Sequence, residues 1–365
     1  MIRRYLPKST EELIQWYERY VAPLSLLAGF VADNIIFRAI DLFTMTLALT
    51  LYLIVAVVGI LAVNLVEAGR VRHAFVLRVA PFLPVVVQFA FGGIFSGFFV
   101  LYSESAAAAV SWISVAVLAL LLIGNERFRR RYRSFSFQTG VLFVSFLGFF
   151  IFLAPLIFKR ISPEMFLVSS AISIALIVLY VLGARRILPE LVDANRKTIA
   201  RSVGAIFLIF SALYFTNAIP PLPLAQKDAG VYHHIERVDG EYRALYEPTT
   251  WYRKYVPFGK VFHRAPGESI YAFSAIFAPS GLSTTLTHEW QNRNPETGEW
   301  DTISIVKFGV IGGRDGGYRG YSITANPLEG KWRVNVLTPY GQVVGRISFT
   351  VINVPQPVAL EEKTL

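Results

Sequence analysis

The chain has 365 residues, of which 54% are hydrophobic, with a mean hydropathy of +0.49 and a formal net charge of +10. That apolar share excludes an ordinary soluble protein, and the absence of cysteine excludes a disulfide framework, a thiol nucleophile and a cysteine metal site. Residues 1–224 hold 20 Lys/Arg against 11 Asp/Glu, while 225–365 hold 15 against 14, so the positive excess sits between apolar segments as a topology signal and no nucleic-acid footprint is expected.

In chain order, residues 1–20 form an amphipathic cytoplasmic segment, because Leu13, Trp16, Tyr17 and Tyr20 fall on one helical face after the acidic start Glu11-Glu12. Seven apolar segments follow, near 21–40, 42–66, 81–102, 106–124, 137–158, 164–184 and 200–219. Each approaches the roughly 20 residues a helix needs to cross a bilayer. The loops alternate in charge. One side collects Arg3, Arg4, Lys8 and Arg19, then Arg70, Arg72 and Arg78, then Arg127, Arg129, Arg130, Arg131 and Arg133, then Arg185, Arg186, Arg196, Lys197 and Arg201; the other holds only Arg38, Lys159 and Arg160. Positive residues stay inside, so the N-terminus is predicted cytoplasmic and, after an odd number of crossings, the C-terminal part lies outside. The arginine run 129–131 also attracts anionic lipid heads.

The spans end at Asn217-Ala-Ile-Pro-Pro-Leu-Pro-Leu224, where the prolines forbid a continuing helix. Residues 220–268 read as a Pro-rich collar and an irregular, aromatic-rich linker. From 269 to 353 the pattern has period two, with strands near 269–278, 282–292, 301–311, 318–325, 331–338 and 342–352. Trp332, Val334 and Val336 share one face of their strand, and Lys331, Arg333 and Asn335 share the other. Turn residues separate the strands, so an all-β, immunoglobulin-like antiparallel sandwich is expected, with 354–365 as a loose tail.

Several stretches together resemble one family: Asn217 to Leu224, Gly230-Val-Tyr-His-His234, Thr287-His-Glu-Trp290, Gly312 to Ser322, Gly330-Lys-Trp-Arg-Val334 and Gly341-Gln-Val-Val-Gly-Arg346, with Gly29 to Asp33, Gln88 to Ser105 and Gly124 to Tyr132 in the apolar part. The chain is similar to uncharacterised bacterial polytopic membrane proteins whose C-terminal module is catalogued as domain of unknown function 2914. The resemblance implies a multi-pass protein of the bacterial inner membrane with a periplasmic C-terminal domain. It implies no activity, cofactor or catalytic residue.

Candidate sites follow from residue chemistry. Asp33 and Asn34 sit late in the first apolar segment, with Arg38 and Asp41 just beyond. A carboxylate in lipid is costly and faces a partner or a wet cavity, so this group reads first as a paired polar brace and second as a working site. Gln88, Ser96 and Tyr102 lie on the third segment among Gly92, Gly93 and Gly97, whose small side chains favour close helix packing. Arg314, Tyr318, Arg319 and Tyr321 cluster around a glycine-rich stretch, read as a hairpin turn, and offer guanidinium and aromatic faces to a partner. His233 and His234 are adjacent, unlike metal-binding spacings, so neither metal nor cofactor is expected. His288 and Trp290 read as core. The favoured function is a non-catalytic membrane anchor displaying a β-sandwich that binds an envelope protein or glycan. The alternative is a transporter or intramembrane enzyme with a polar site at Asp33, Gln88, Ser96 and Tyr102.

Overall fold

The computed structural model of the chain describes residues 42–105, 134–219, 223–248, 260–314 and 316–365. It divides into two compact units. The first comprises Met1–Tyr102, Ser114–Ala154 and Phe166–Leu213, and the second Ser103–Ile113, Pro155–Met165 and Tyr214–Leu365.

The helices are α1 (Leu42–Glu67), α2 (Ala74–Val79), which runs through a 3-10 turn at Ala80–Phe82 into α3 (Leu83–Ser105), α4 (Phe135–Phe158), α5 (Pro163–Ile187) and α6 (Pro189–Phe215). With α2 and α3 taken as one span, five helices among the described residues are long and apolar enough to cross a membrane. The surface segment 1–20 and the spans expected near 21–40 and 106–124 lie outside the described residues.

Local chemistry sets the helix ends. After α1, Gly69 takes φ 64 while its amide donates to Val66 O and that of Arg70 to Leu65 O, the paired bonds of a Schellman cap. Pro163 and Pro189 open α5 and α6, where a missing amide hydrogen costs nothing, and Arg185 and Arg186 close α5 against its negative end. This corrects one expectation: Arg196, Lys197 and Arg201, placed in a loop by their charge, lie inside α6. Arg and Lys are good helix formers, and Pro189 starts the helix well before the apolar run begins.

Within the first unit the apolar faces of α3 and α4 bury Phe91, Phe95, Phe98, Phe143, Leu147 and Phe152. Gly93 and Gly148 let the helices close up, since a Cβ on Gly93 would strike the Tyr52 ring and one on Gly148 the Phe98 ring. Polar groups are satisfied inside the unit. Asn64 Nδ2 on α1 donates to Gln138 Oε1 on α4 at 2.7 Å and to Ile60 O at 2.8 Å, and Ser169 Oγ on α5 donates to Phe150 O at 2.8 Å.

The second unit carries eleven strands: β1 (Ala225–Tyr232), β2 (His234–Val238), β3 (Glu241–Tyr246), β4 (Lys260–Arg264), β5 (Ile270–Phe277), β6 (Ser283–Arg293), β7 (Trp300–Ile311), β8 (Tyr318–Thr324), β9 (Gly330–Leu337), β10 (Val343–Asn353) and β11 (Glu361–Thr364). They form three sheets, ordered β1-β5-β8, β4-β10-β9-β6-β7 and β11-β3-β2. All pairs are antiparallel except β4 with β10. The first and second sheets share a core of Ile270, Ala272, Trp290, Trp332, Val334, Ile347, Phe349 and Val351. On its other face the first sheet packs Phe273 and Ala275 against Ile235 and Ala244 of the third. Covered on both sides, β5 has lost the alternation of a half-buried strand and reads as a nearly continuous apolar run.

The six strands expected between 269 and 353 are all present. The linker and the tail are not as expected: β1 to β4 occupy much of 225–264, and β11 pairs with β3. Tyr232, Tyr242 and Tyr246 supply the aromatic bulk of the small third core, so aromatic enrichment here marks packed strands. Nor is the stretch from Gly312 a hairpin turn, because β7 and β8 belong to different sheets and the segment crosses between them. The α4–α5 loop also contributes to this unit: Ile161 joins Leu224, Ile276, Leu286, Val336 and Val344 in one buried cluster.

Candidate functional site

The strand register places a polar network on the face of the five-stranded sheet opposite the core. Trp290, Val334 and Ile347 pair across β6, β9 and β10 and are buried, so the residues one step along point the other way. One outward row is Arg346 on β10, Asn335 on β9 and Glu289 on β6; the next is Ser348, Arg333 and Gln291, continued by Thr302 on β7.

The side chains in these rows are joined. Arg346 Nε donates to Asn335 Oδ1 at 2.6 Å, and Asn335 Nδ2 donates to Glu289 Oε2 at 2.9 Å and to Gln291 Oε1 at 3.1 Å. Arg333 Nε donates to Gln291 Oε1 at 2.6 Å, Gln291 Nε2 to Thr302 Oγ1 at 3.0 Å, and Thr302 Oγ1 to Glu289 Oε1 at 3.1 Å. Arginine can only donate and an ionised carboxylate only accept, so both amides have one consistent orientation, oxygen toward the guanidinium. Arg333 also lies 4.2 Å over the ring centroid of Trp300.

Two cations therefore surround one carboxylate, and both oxygens of that carboxylate are already engaged. Burial pushes the Arg333 guanidinium below its ordinary pKa, with Glu289 opposing. Burial and then the charge of Arg333 push Arg346 down, again opposed by Glu289. Among the described residues the Nη atoms of both arginines have no hydrogen-bond acceptor. The arrangement can hold a planar anion or a hydroxyl-rich surface with side chains already fixed in place.

Facing the core from the same strand is a second network. His288 is fully buried, with Nε2 at 2.7 Å from Ser274 Oγ on β5 and Nδ1 at 2.8 Å from Ser322 Oγ on β8; Trp290 Nε1 donates to Ser322 Oγ at 2.9 Å. Ser322 accepts from the indole, and each serine hydroxyl can either donate to the ring nitrogen beside it or accept from it. A neutral imidazole donates through one ring nitrogen and accepts through the other, and the two serines can take either complementary role. Burial pushes the His288 pKa down to about 4. The network bolts the second sheet to the first.

The structure separates the residues singled out by sequence. Asp33, Asn34, Arg38 and Asp41 lie outside the described residues. Gln88 is half-buried, Ser96 and Tyr102 are buried, and Tyr102 Oη reaches Gly148 O at 3.5 Å. The three are strung along about 21 Å of one helix at its usual rise, so among themselves they do not converge on one site. Arg314, Tyr318, Arg319 and Tyr321 are also divided. Arg314 sits 5.8 Å over the Tyr318 ring, and Tyr318 packs against the shared core of the first two sheets. Arg319 Nη1 meets Glu241 Oε2 at 2.7 Å, and Tyr321 joins Tyr242 and Tyr271 toward the third sheet. Alternation along β8 sends the two pairs to different layers.

Sequence distance concealed one further cluster. Glu247 accepts from His263 through the ring Nδ1 and the backbone amide, both at 2.6 Å, and lies 3.1 Å from His233 Nε2. Burial pushes the Glu247 carboxyl up, but the bonds to His233 and His263 and the charge of His263 together outweigh it and hold the group below the usual carboxylate range. Among the described residues no group of three or more His, Asp and Glu is arranged to hold a metal ion.

Residues 283–351 match the family described as "Protein of unknown function (DUF2914)". That segment runs from β6 into β10 and contains every residue of the outer network. No curated protein matches the chain. Among solved structures, the chain is similar to a mutant beta-glucosidase from Listeria innocua in complex with laminaribiose, at 13% identity over 26% of this chain and 15% of that one, with a TM-score of 0.19. It is similar also to the Pseudomonas fluorescens alkylpurine DNA glycosylase AlkC bound to DNA containing an abasic site analog, at 10% identity over 82% of this chain and 96% of that one, with a TM-score of 0.20. Structural similarity this low carries no inference about fold or function.

Proposed function

We propose, starting from a C-terminal segment that matches a family of unknown function, that the protein is a non-catalytic binding module of the bacterial envelope. Seven spans anchor it in the inner membrane with the N-terminus in the cytoplasm. They display a periplasmic, immunoglobulin-like β-sandwich that engages an envelope protein or glycan. One support for the sidedness is Ile161 of the α4–α5 loop, which packs in the core of the β-rich unit. The loop carries only Lys159 and Arg160, the positive-poor signature of the outer side.

The observation that carries the binding reading is the joined outer network of Glu289, Gln291, Thr302, Arg333, Asn335 and Arg346. Its side chains are ordered before any partner arrives, which lowers the entropy lost on binding. A photo-crosslinking residue at Ser348, in the middle of this face, should give a defined adduct in living cells, whereas one at Asp239, in the β2–β3 turn, should not. Reporter fusions after Leu365 and at Arg131 should be active only in the periplasm and only in the cytoplasm, respectively. Adducts from Asp239 alone, or a cytoplasmic C-terminus, would overturn the reading.

A further inference from the structure

We infer that Arg333 and Arg346 form an anion site and that its ligand is a glycan bearing carboxylate groups, such as a uronic acid polymer; this rests on the reading that the outer sheet face binds a partner. Charge is the first argument. The two central rows of the face hold two guanidiniums and one carboxylate, and Glu289 spends its two oxygens on Thr302 and Asn335. Neither arginine touches it directly. Amide side chains stand between each cation and the carboxylate, so both cations remain half-buried without an anionic acceptor.

Geometry is the second. Arg346 pairs with Asn335 and Ser348 with Arg333, so the two arginines are diagonal neighbours on adjacent strands. Cα atoms in that relation stand about 7–8 Å apart, within reach of two long side chains converging on one group. Each guanidinium is tied down through Nε, which fixes its plane and leaves its Nη edge for a ligand. A planar fork of this kind matches the two oxygens of a carboxylate.

The surroundings favour a glycan over an acidic protein. Across β10, β9 and β6 the two central rows are Arg346, Asn335, Glu289 and Ser348, Arg333, Gln291, all polar; on β7 Thr302 continues the second row and Ile305, at the edge, the first. Protein interfaces are anchored by buried aromatic and apolar groups, whereas a surface of amides and hydroxyls suits a chain of sugar hydroxyls. Trp300 stands at the rim and holds Arg333 in place.

The test uses the full chain in detergent and calorimetric titration with three probes: oligogalacturonate, the same oligomer methyl-esterified, and polyglutamate of matched charge. Oligogalacturonate should bind and its neutral ester should not. Arg333→Gln and Arg346→Gln should each weaken binding by about tenfold or more, the usual worth of a charge-assisted hydrogen bond. Glu289→Gln keeps an acceptor for Asn335 but removes the opposing charge, and should tighten binding by about threefold. That gain distinguishes anion recognition from a structural role, and it decides the matter if the arginine variants melt early. Equal binding of the methyl ester would overturn the anion site while leaving a glycan-binding face intact. Tighter binding of polyglutamate would overturn the glycan class, and binding of none of the probes, or binding unchanged in all three variants, would overturn the inference altogether.

Discussion

Mild acid should loosen the β-rich unit through a single side chain, His288. Its imidazole is buried between two sheets, held by two serine hydroxyls, with no carboxylate among its hydrogen-bond partners to offset the cost of burying a charge. The folded-state pKa, about 4, lies below the ordinary 6.5. Between those values the unfolded chain binds more protons than the folded one, so the stability present above pH 6.5 is lost as pH falls through the window. At about 1.4 kcal/mol per tenfold change in proton affinity, the whole interval amounts to about 3 kcal/mol, of which about 2 kcal/mol is gone by pH 5. For a unit of this size that corresponds to a fall of about 6 °C in Tm. The assay is tryptophan fluorescence during thermal melting at pH 7.5 and pH 5, because Trp290 donates to the same serine as His288 and reports on the site. His288→Gln supplies the comparison: its side chain is neutral throughout, so its Tm should change less between the two pH values by about that amount. Other titrating groups, Glu247 among them, act equally in both proteins and cancel in the difference. If the wild type and the variant lose Tm in parallel, His288 is protonated without penalty and the buried-network argument fails.

Other outcomes follow from packing. Trp332 is 1% exposed and its indole donates to Leu328 O at 2.7 Å, so Trp332→Ala should cost about 3–5 kcal/mol, read as an early melting transition of the β-rich unit. An unchanged transition would mean the strand faces are reversed. In the helical unit, Asn64→Val removes the donor to Gln138 on a buried helix contact and should cost about 1 kcal/mol, measured by unfolding in mixed micelles; an unchanged unfolding transition would mean that this bond contributes nothing net.

Much of the architecture is legible in the residue pattern because it depends on local periodicity. Apolar runs near twenty residues produced the helices α1 and α3 to α6; period-two alternation located β6 to β10 within a residue or two, and the short apolar run between Pro266-Gly267 and Pro279 located β5. That same alternation puts Arg333 and Asn335 opposite Trp332 and Val334, so the facing of the candidate site can be read from sequence. Aromatic residues between 225 and 268 mislead for the same reason that alternation succeeds: β1 to β3 pack in a layered unit, where both faces of a strand can be covered and no simple period survives. Their assignment, like that of β11, depends on partners far away in the chain.

What the sequence by itself determined is the type of the long apolar helices and of strands β5 to β10, the buried face of those strands that alternate, and the charge contrast between loops. Those properties are set by backbone geometry and by the cost of placing polar groups in an apolar environment, which each segment carries alone. Only the tertiary structure decided which strands become neighbours. Register is a relation between segments, and it alone sets Arg346 beside Asn335, Asn335 beside Glu289, and His288 between Ser274 and Ser322. Residues 46 positions apart, such as Glu289 and Asn335, meet because β9 lies between β6 and β10, and the energy of that meeting resides in the pair.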